Sequence, residues 1–126
     1  MRLAFHRFRP RAVLAVPLLL CVVFGRVQAA TPPPIKLIAE VGPGYTITLK
    51  KGNNRVVSLK TGAYTITVRD RSTMHNFHLF GPRVNRSTSI ATRVTRTWTV
   101  TFRPGTYTYL CDPHANRMKD SFQVTR

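Results

Sequence analysis

Hydrophobic and polar residues alternate along most of the chain after residue 34, which is typical of strands with one buried face. The clearest run is Val94–Phe102, where Trp98, Val100 and Phe102 share one face. Turns rich in glycine and proline separate the runs. The pattern predicts a polar loop over residues 83–89. It predicts strands over residues 35–41, 45–49, 56–59, 63–69, 75–80, 94–102, 106–111 and 121–125.

No stretch after residue 29 has helical periodicity. Short strands at regular spacing, divided by turns, predict an all-β domain that is a sandwich or a barrel. Residues 30–34 form a proline-rich lead-in, and residues 35–126 are enough for one hydrophobic core. We therefore expect a single small domain over residues 35–126.

The first 29 residues have the pattern of a secretory signal peptide. Residues 1–11 carry four arginines and no acid, residues 12–24 are an apolar run, and small residues precede a cleavage point after Ala29. The apolar run is shorter than the roughly 20 residues that a membrane-spanning helix needs. We expect export to the periplasm or the cell exterior and no transmembrane anchor after cleavage. An uncleaved N-terminal anchor is the alternative.

The exported part would be strongly basic, with fifteen lysines and arginines against four acids, a net charge of +11. Such a surface favours an acidic partner. The basic residues are scattered singly along the predicted strands, and no nucleic-acid-binding motif accompanies them. We therefore expect no specific nucleic-acid partner.

The candidate chemistry lies near the C-terminus, where Cys111, His114 and Met118 fall within eight residues, with His75 far upstream. Cys111 would be the only cysteine after cleavage, and an unpaired cysteine in an exported protein needs an explanation. Two imidazoles and one thiolate, with a weak axial methionine, bind a single copper ion in either oxidation state. The alternative is an inert buried thiol beside a surface histidine.

Two of these positions have competing interpretations. His75 and His78 would lie on opposite faces of a strand, and Phe77 and Leu79 make the His75 face the core side. His75 is therefore the predicted ligand, and His78 a surface or supporting histidine. Met118 could be an ordinary core side chain, but its place on the cysteine–histidine loop favours a ligand role.

The chain resembles the cupredoxins, the small blue copper proteins typified by plastocyanin and azurin, over essentially all of residues 35–125. The resemblance implies a Greek-key β-sandwich of seven or eight strands. It is sharpest at three motifs, which are His75-Asn76, Pro104-Gly105-Thr106-Tyr107-Thr108-Tyr109 and Cys111-Asp112-Pro113-His114.

The resemblance also implies a ligand set for one mononuclear type 1 copper ion. Its equatorial ligands would be His75, Cys111 and His114, and its axial ligand would be Met118. Asn76 would hydrogen-bond around the ligand loop and help to hold the cysteine sulfur.

The ligand loop departs from plastocyanin-like loops in two respects. Three residues separate His114 from Met118, fewer than is usual there, which bears on the axial bond. Asp112 stands where serine or threonine is common. Its carboxylate would add negative charge near the metal and favour Cu(II) somewhat.

These features predict a monomeric, exported one-electron carrier rather than an enzyme. Electrons would leave through the exposed edge of His114, in an apolar patch with Pro113, Ala115 and Pro82, toward a redox partner with an acidic docking surface. A copper chaperone or storage protein is the main alternative, and a metal-free basic binding module is another. Three histidines after residue 29 are too few for a multicopper oxidase.

Overall fold

Ten strands form two five-stranded sheets in the computed structural model, which describes residues 25–26 and 28–126. The predicted signal peptide lies almost entirely outside these residues. Residues 32–126 form one compact unit. The strands are β1 (Ile35–Val41), β2 (Ile47–Lys51), β3 (Asn54–Arg55), β4 (Ser58–Lys60), β5 (Gly62–Asp70), β6 (His78–Gly81), β7 (Val84–Ser87), β8 (Val94–Phe102), β9 (Gly105–Leu110) and β10 (Lys119–Thr125).

The two sheets pack face to face, with strand order β3-β2-β1-β5-β8 in the first and β4-β10-β9-β6-β7 in the second. The chain passes repeatedly between them, and β1 with β5 and β4 with β10 are parallel pairs. The all-β sandwich is thus confirmed. The structure has two strands beyond the eight predicted along the chain, the two-residue β3 and the four-residue β7. The loop predicted over residues 83–89 is wrong, because Val84–Ser87 pairs with β6.

Alternation along the strands builds the core. In β8 the side chains of Trp98, Val100 and Phe102 are buried, as predicted, while the residues between them are exposed. From the second sheet Tyr107 meets this layer and stacks on Phe122, with ring centroids 5.4 Å apart. Aromatic pairs of this kind add to the burial energy.

The strand predicted over residues 75–80 begins only at His78. Residues 75–77 precede it as an irregular segment, and all three are buried, including Asn76 at 2% exposure. The expected alternation of faces is therefore wrong for Asn76. It nevertheless separates the two histidines correctly, since His75 is buried and His78 is partly exposed.

The far end of the second sheet closes with a tight turn between β6 and β7. Gly81 lies so close to Tyr107 that a Cβ atom there would overlap the ring. Pro82 follows, and Arg83 takes a left-handed backbone conformation with φ 58°. Glycine is the residue that adopts this conformation without strain, so an arginine here is unusual.

No helix among residues 25–26 and 28–126 is both long enough and apolar enough to cross a lipid bilayer.

Candidate metal centre

Three side chains from two separate parts of the chain meet at one end of the sandwich. His75 comes from the segment before β6, Cys111 follows β9 directly, and His114 ends a short 3-10 helix, Asp112–His114. The Cys111 N–H donates to the Met118 carbonyl at 3.0 Å, and the His114 N–H donates to the Cys111 carbonyl at 3.0 Å. These backbone bonds close the loop and hold both ligand candidates in fixed positions.

The donor atoms form a triangle of the size that a metal ion needs. His75 Nδ1 and His114 Nδ1 are 3.0 Å apart, and Cys111 Sγ lies 3.6 Å from each of them. The centre of such a triangle is about 2.0 Å from every corner, close to the bond lengths of about 2.0–2.1 Å to nitrogen and 2.3 Å to sulfur seen for zinc. Among residues 25–26 and 28–126 this is the only group of three or more histidine, cysteine or acidic side chains so arranged.

The chemistry of the donors narrows the choice of metal. Cys111 is fully buried and His75 is 2% exposed, while His114 is partly exposed. One thiolate with two imidazoles suits copper, because sulfur ligands favour Cu(I) and imidazole accepts both oxidation states. The residues present therefore fit one copper ion. Met118 is buried on the same loop at 1% exposure, and its role as an axial ligand stays a prediction.

Asn76 and Asp112 tie the ligand loop to the segment that carries His75. Asn76 Nδ2 donates to Asp112 Oδ2 at 2.6 Å, and Asn76 Oδ1 accepts the Asp112 N–H at 2.8 Å. This paired contact spans 36 positions of the sequence and brings the backbone beside Cys111 next to residue 76. The supporting roles of both residues toward a metal remain predictions.

His78 lies outside the triangle and binds the other carboxylate oxygen of Asp112. Its Nδ1 is 2.8 Å from Asp112 Oδ1, and its Nε2 is 2.7 Å from Asn85 Oδ1. Partial burial opposes the charge of His78, but the bonds to Asp112 and Asn85 outweigh it and raise the pKa of His78. Partial burial also opposes the charge of Asp112, but the bonds from His78 and Asn76 outweigh it and lower the pKa of Asp112.

A buried carboxylate that was not among the predicted site residues supports the same segment. Asp70, 3% exposed, accepts from Thr88 Oγ1 at 2.6 Å and from the Ser72 N–H at 3.2 Å. Thr88 Oγ1 also accepts the Phe77 N–H at 2.9 Å. The Asp-x-Ser spacing indicates a local turn, but the sequence carries no signal for the bond to Thr88.

Tyr45 is a second residue beside the centre that the sequence did not indicate. Its ring lies 5.4 Å from the His75 ring and 5.0 Å from the His114 ring, between centroids. The Arg117 guanidinium carbon lies 4.3 Å from the centroid of the Tyr45 ring. Tyr45 is 51% exposed, so it forms part of the surface next to His114.

Pro82 is not part of that surface. It sits in the turn after β6 and faces Gly105, whose Cβ, if present, would lie 2.7 Å from Pro82 Cγ. Gly105 begins β9 and Cys111 follows its end, so Pro82 lies at the opposite end of the strand from the ligands. The prediction that Pro82 surrounds His114 is therefore wrong, because the β6–β7 turn points away from the ligand loop.

Searches for similar proteins found relatives by structure alone. The copper protein rusticyanin is 16% identical, with 75% of this chain and 80% of that chain covered and a TM-score of 0.56. Rusticyanin from Thiobacillus ferrooxidans gives 18% identity, coverage of 75% and 79%, and a TM-score of 0.52. Reduced auracyanin from Roseiflexus castenholzii gives 19% identity, coverage of 75% and 100%, and a TM-score of 0.52.

No protein-family model matches the chain, and no curated protein matches it significantly. At these identities the structural matches establish the architecture. The chain has the cupredoxin fold.

Proposed function

We propose that this chain is a blue copper protein that carries single electrons through one type 1 copper ion. His75, Cys111 and His114 would bind the ion, and Met118 would be its axial ligand. The triangle of donor atoms, with sides of 3.0, 3.6 and 3.6 Å, is the observation that carries the proposal. When bound, copper supplies an electron acceptor and donor that alternates between Cu(II) and Cu(I).

The protein's part is to keep the ligands in nearly the same places in both oxidation states. The Asn76–Asp112 contacts and the backbone bond between Cys111 and Met118 hold the loop from both ends. Burial of Cys111 excludes water from the sulfur. A site fixed in this way by its supporting contacts needs little rearrangement when the charge of the ion changes.

His114 would be the exit for the electron, because it is the one ligand candidate of the triangle with partial exposure. Pro113 and Ala115 adjoin it in the chain, and the Tyr45 ring packs against its ring in a T-shaped contact. The basic surface would attract an acidic redox partner, and small contacts suit brief encounters of this kind. We further propose that the protein is exported, works as a monomer in the periplasm or outside the cell, and is not an enzyme.

The burial of Cys111 favours electron transfer over the alternative of a copper chaperone or storage protein. A chaperone must let a receiving protein reach its ligands, and the fully buried sulfur opposes such exchange. A metal-free binding role would leave the converging thiol and imidazoles without a purpose.

The test is to add Cu(II) to the purified protein and record its visible spectrum. We expect an intense thiolate-to-copper band that Cys111→Ala abolishes and that His78→Gln retains, since His78 lies outside the triangle. Repeated reduction and reoxidation should restore the band without loss of copper. A colourless protein would contradict copper binding through Cys111, and loss of copper on reduction would favour the chaperone.

A further inference from the structure

A groove of about 670 Å³ runs along the side of the sandwich, between the outermost strands of the two sheets. It is lined by residues 83–86 from β7 and its turn, by residues 99–101 of β8, and by Arg103. The face of a strand presents every second residue, so a lining of consecutive residues belongs to strand edges. The groove therefore exposes the free backbone N–H and C=O groups of two edge strands.

The groove is basic, and the chain has no acid left to neutralise it. Arg83, Arg86 and Arg103 line it, all three are exposed, and none forms an ion pair with an acid of the described chain. The chain has only four acids. They are Glu40, paired with Arg69 and Arg71; Asp70, bound by Thr88; Asp112, bound by His78 and Asn76; and Asp120, paired with Arg55.

The conformation of Arg83 is a separate observation that points the same way. Its positive φ of 58° is a strained conformation for any residue with a side chain. Strained backbone at an exposed position is a reason to look for function, since glycine would fit the turn without strain. Arginine at this position places a guanidinium group at one end of the groove.

We propose that the groove binds an extended, acidic peptide segment of a partner protein. The segment would pair with the free edge of β7 or β8 as an added strand. Carboxylates at every second residue would share one face of it, about 7 Å apart, and would bind the three arginines. Thr99 and Thr101 offer hydroxyl groups beside them. The site is distinct from the candidate metal centre and does not depend on copper.

The opposite possibility is that the arginines only prevent pairing. Charged side chains on edge strands are a common protection against edge-to-edge aggregation. Protection requires charge near the edge but no particular ligand. The two possibilities differ in whether acidic peptides bind tightly and at these residues.

The test uses a fluorescent ten-residue peptide of alternating glutamate and threonine, titrated by anisotropy against the purified full chain with and without copper. We expect Arg83→Gln/Arg86→Gln/Arg103→Gln to weaken binding by roughly 30-fold or more. Lys36→Gln/Lys50→Gln/Lys51→Gln is the control, with the same net charge but changes on β1 and β2. It should weaken binding by less than about 3-fold.

Further probes separate the kind of ligand. Methylation of alternate peptide nitrogens should weaken binding about 10-fold or more, because it removes the backbone donors of an added strand. The proposal is overturned if both triple variants lose equal affinity or if the methylated peptide binds unchanged. It is overturned as well if millimolar sodium sulfate displaces the fluorescent peptide as effectively as unlabelled peptide does. It is also overturned if single-stranded DNA binds more tightly than the peptide and if the arginine triple variant loses that DNA binding.

Discussion

Polar groups are buried and bonded at the ligand end of the sandwich, but they are exposed in the groove lined by Arg83, Arg86 and Arg103. At the ligand end five polar residues are buried, which are Asp70, Ser72, His75, Asn76 and Thr88. No buried side-chain nitrogen or oxygen in the described residues lacks a hydrogen-bond partner. In the groove three arginines are exposed, and none of the chain's acids pairs with them.

The contrast indicates what each region is built to do. A buried and fully bonded polar network resists movement, because each displaced group would be left without a partner in a medium of low dielectric constant. Exposed charges without internal partners lose little by meeting an outside ligand. The first arrangement suits fixed metal ligands, and the second suits a partner that comes and goes.

Replacing Asn76 should have the largest effect on the ligand end, because Asn76 joins the segment of His75 to the loop of Cys111. Asn76→Ala deletes two hydrogen bonds and leaves the Asp112 N–H without its acceptor. We expect a loss of about 3 kcal/mol in the free energy of unfolding, measured with urea. The exposed Asn116→Ala is the control and should change it by about 0.5 kcal/mol or less. A loss below about 1 kcal/mol for Asn76→Ala would mean that the ligand end is not held in this way.

Alkaline pH should weaken the hydrogen bond from the Tyr109 hydroxyl to Asp120. Burial and a 2.9 Å bond to Asp120 raise the pKa of Tyr109 to about 12, above its ordinary value of 10.0. The folded state therefore holds this proton longer than the unfolded state. The resulting stability is complete below pH 10 and is lost as the pH rises toward 12.

The free energy of unfolding should decrease between pH 9 and pH 12 in both proteins. We expect this decrease to be smaller in Tyr109→Phe than in the parent by roughly 2 kcal/mol. Urea titrations at several values of pH in this range measure the difference. Phenylalanine keeps the ring that stacks on Phe77, so the packing is matched. Parallel pH profiles in the two proteins would rule out Tyr109 as the source.

The smallest effect concerns the strained end of the groove. Arg83→Gly should raise the free energy of unfolding by about 1 kcal/mol, because glycine adopts positive φ without strain. Arg86→Gly, in the middle of β7, should lower it by about 0.5–1 kcal/mol, because glycine weakens a strand. Thermal unfolding of both variants gives the signs directly. A loss of stability in Arg83→Gly would show that its side chain contributes more than the strain removes.

Much of the fold could be predicted because the decisive patterns are local. Strands β1 and β8 have the predicted bounds, since apolar residues at every second position leave few other ways to bury them. The grouping of His75, Cys111 and His114 was accessible because two of them share one loop. Selecting His75 over His78 needed only which of the two lies on the buried side.

What the sequence could not indicate depends on contacts between distant segments. Residues 84–87 contain one apolar side chain, and they form β7 because the turn at Pro82 returns them to β6. Asn76 is buried because Asp112 binds it from 36 positions away. Tyr45 was predicted to begin a strand over residues 45–49, but β2 begins only at Ile47, and the contact of Tyr45 with the histidines depends on how distant segments pack. The groove exists because the sheet order leaves β7 and β8 at the same side.

The bond from the Cys111 N–H to the Met118 carbonyl continues the pairing of β9 with β10 by one step past Leu110 and Lys119. Residues 112–117 therefore form a loop that connects two strands whose hydrogen-bonded pairing continues up to its base. An insertion or deletion within them would be absorbed in the loop while the pairing stays in register. Evolution could therefore vary the length of this segment, and with it the surroundings of His114, without having to redesign the sandwich.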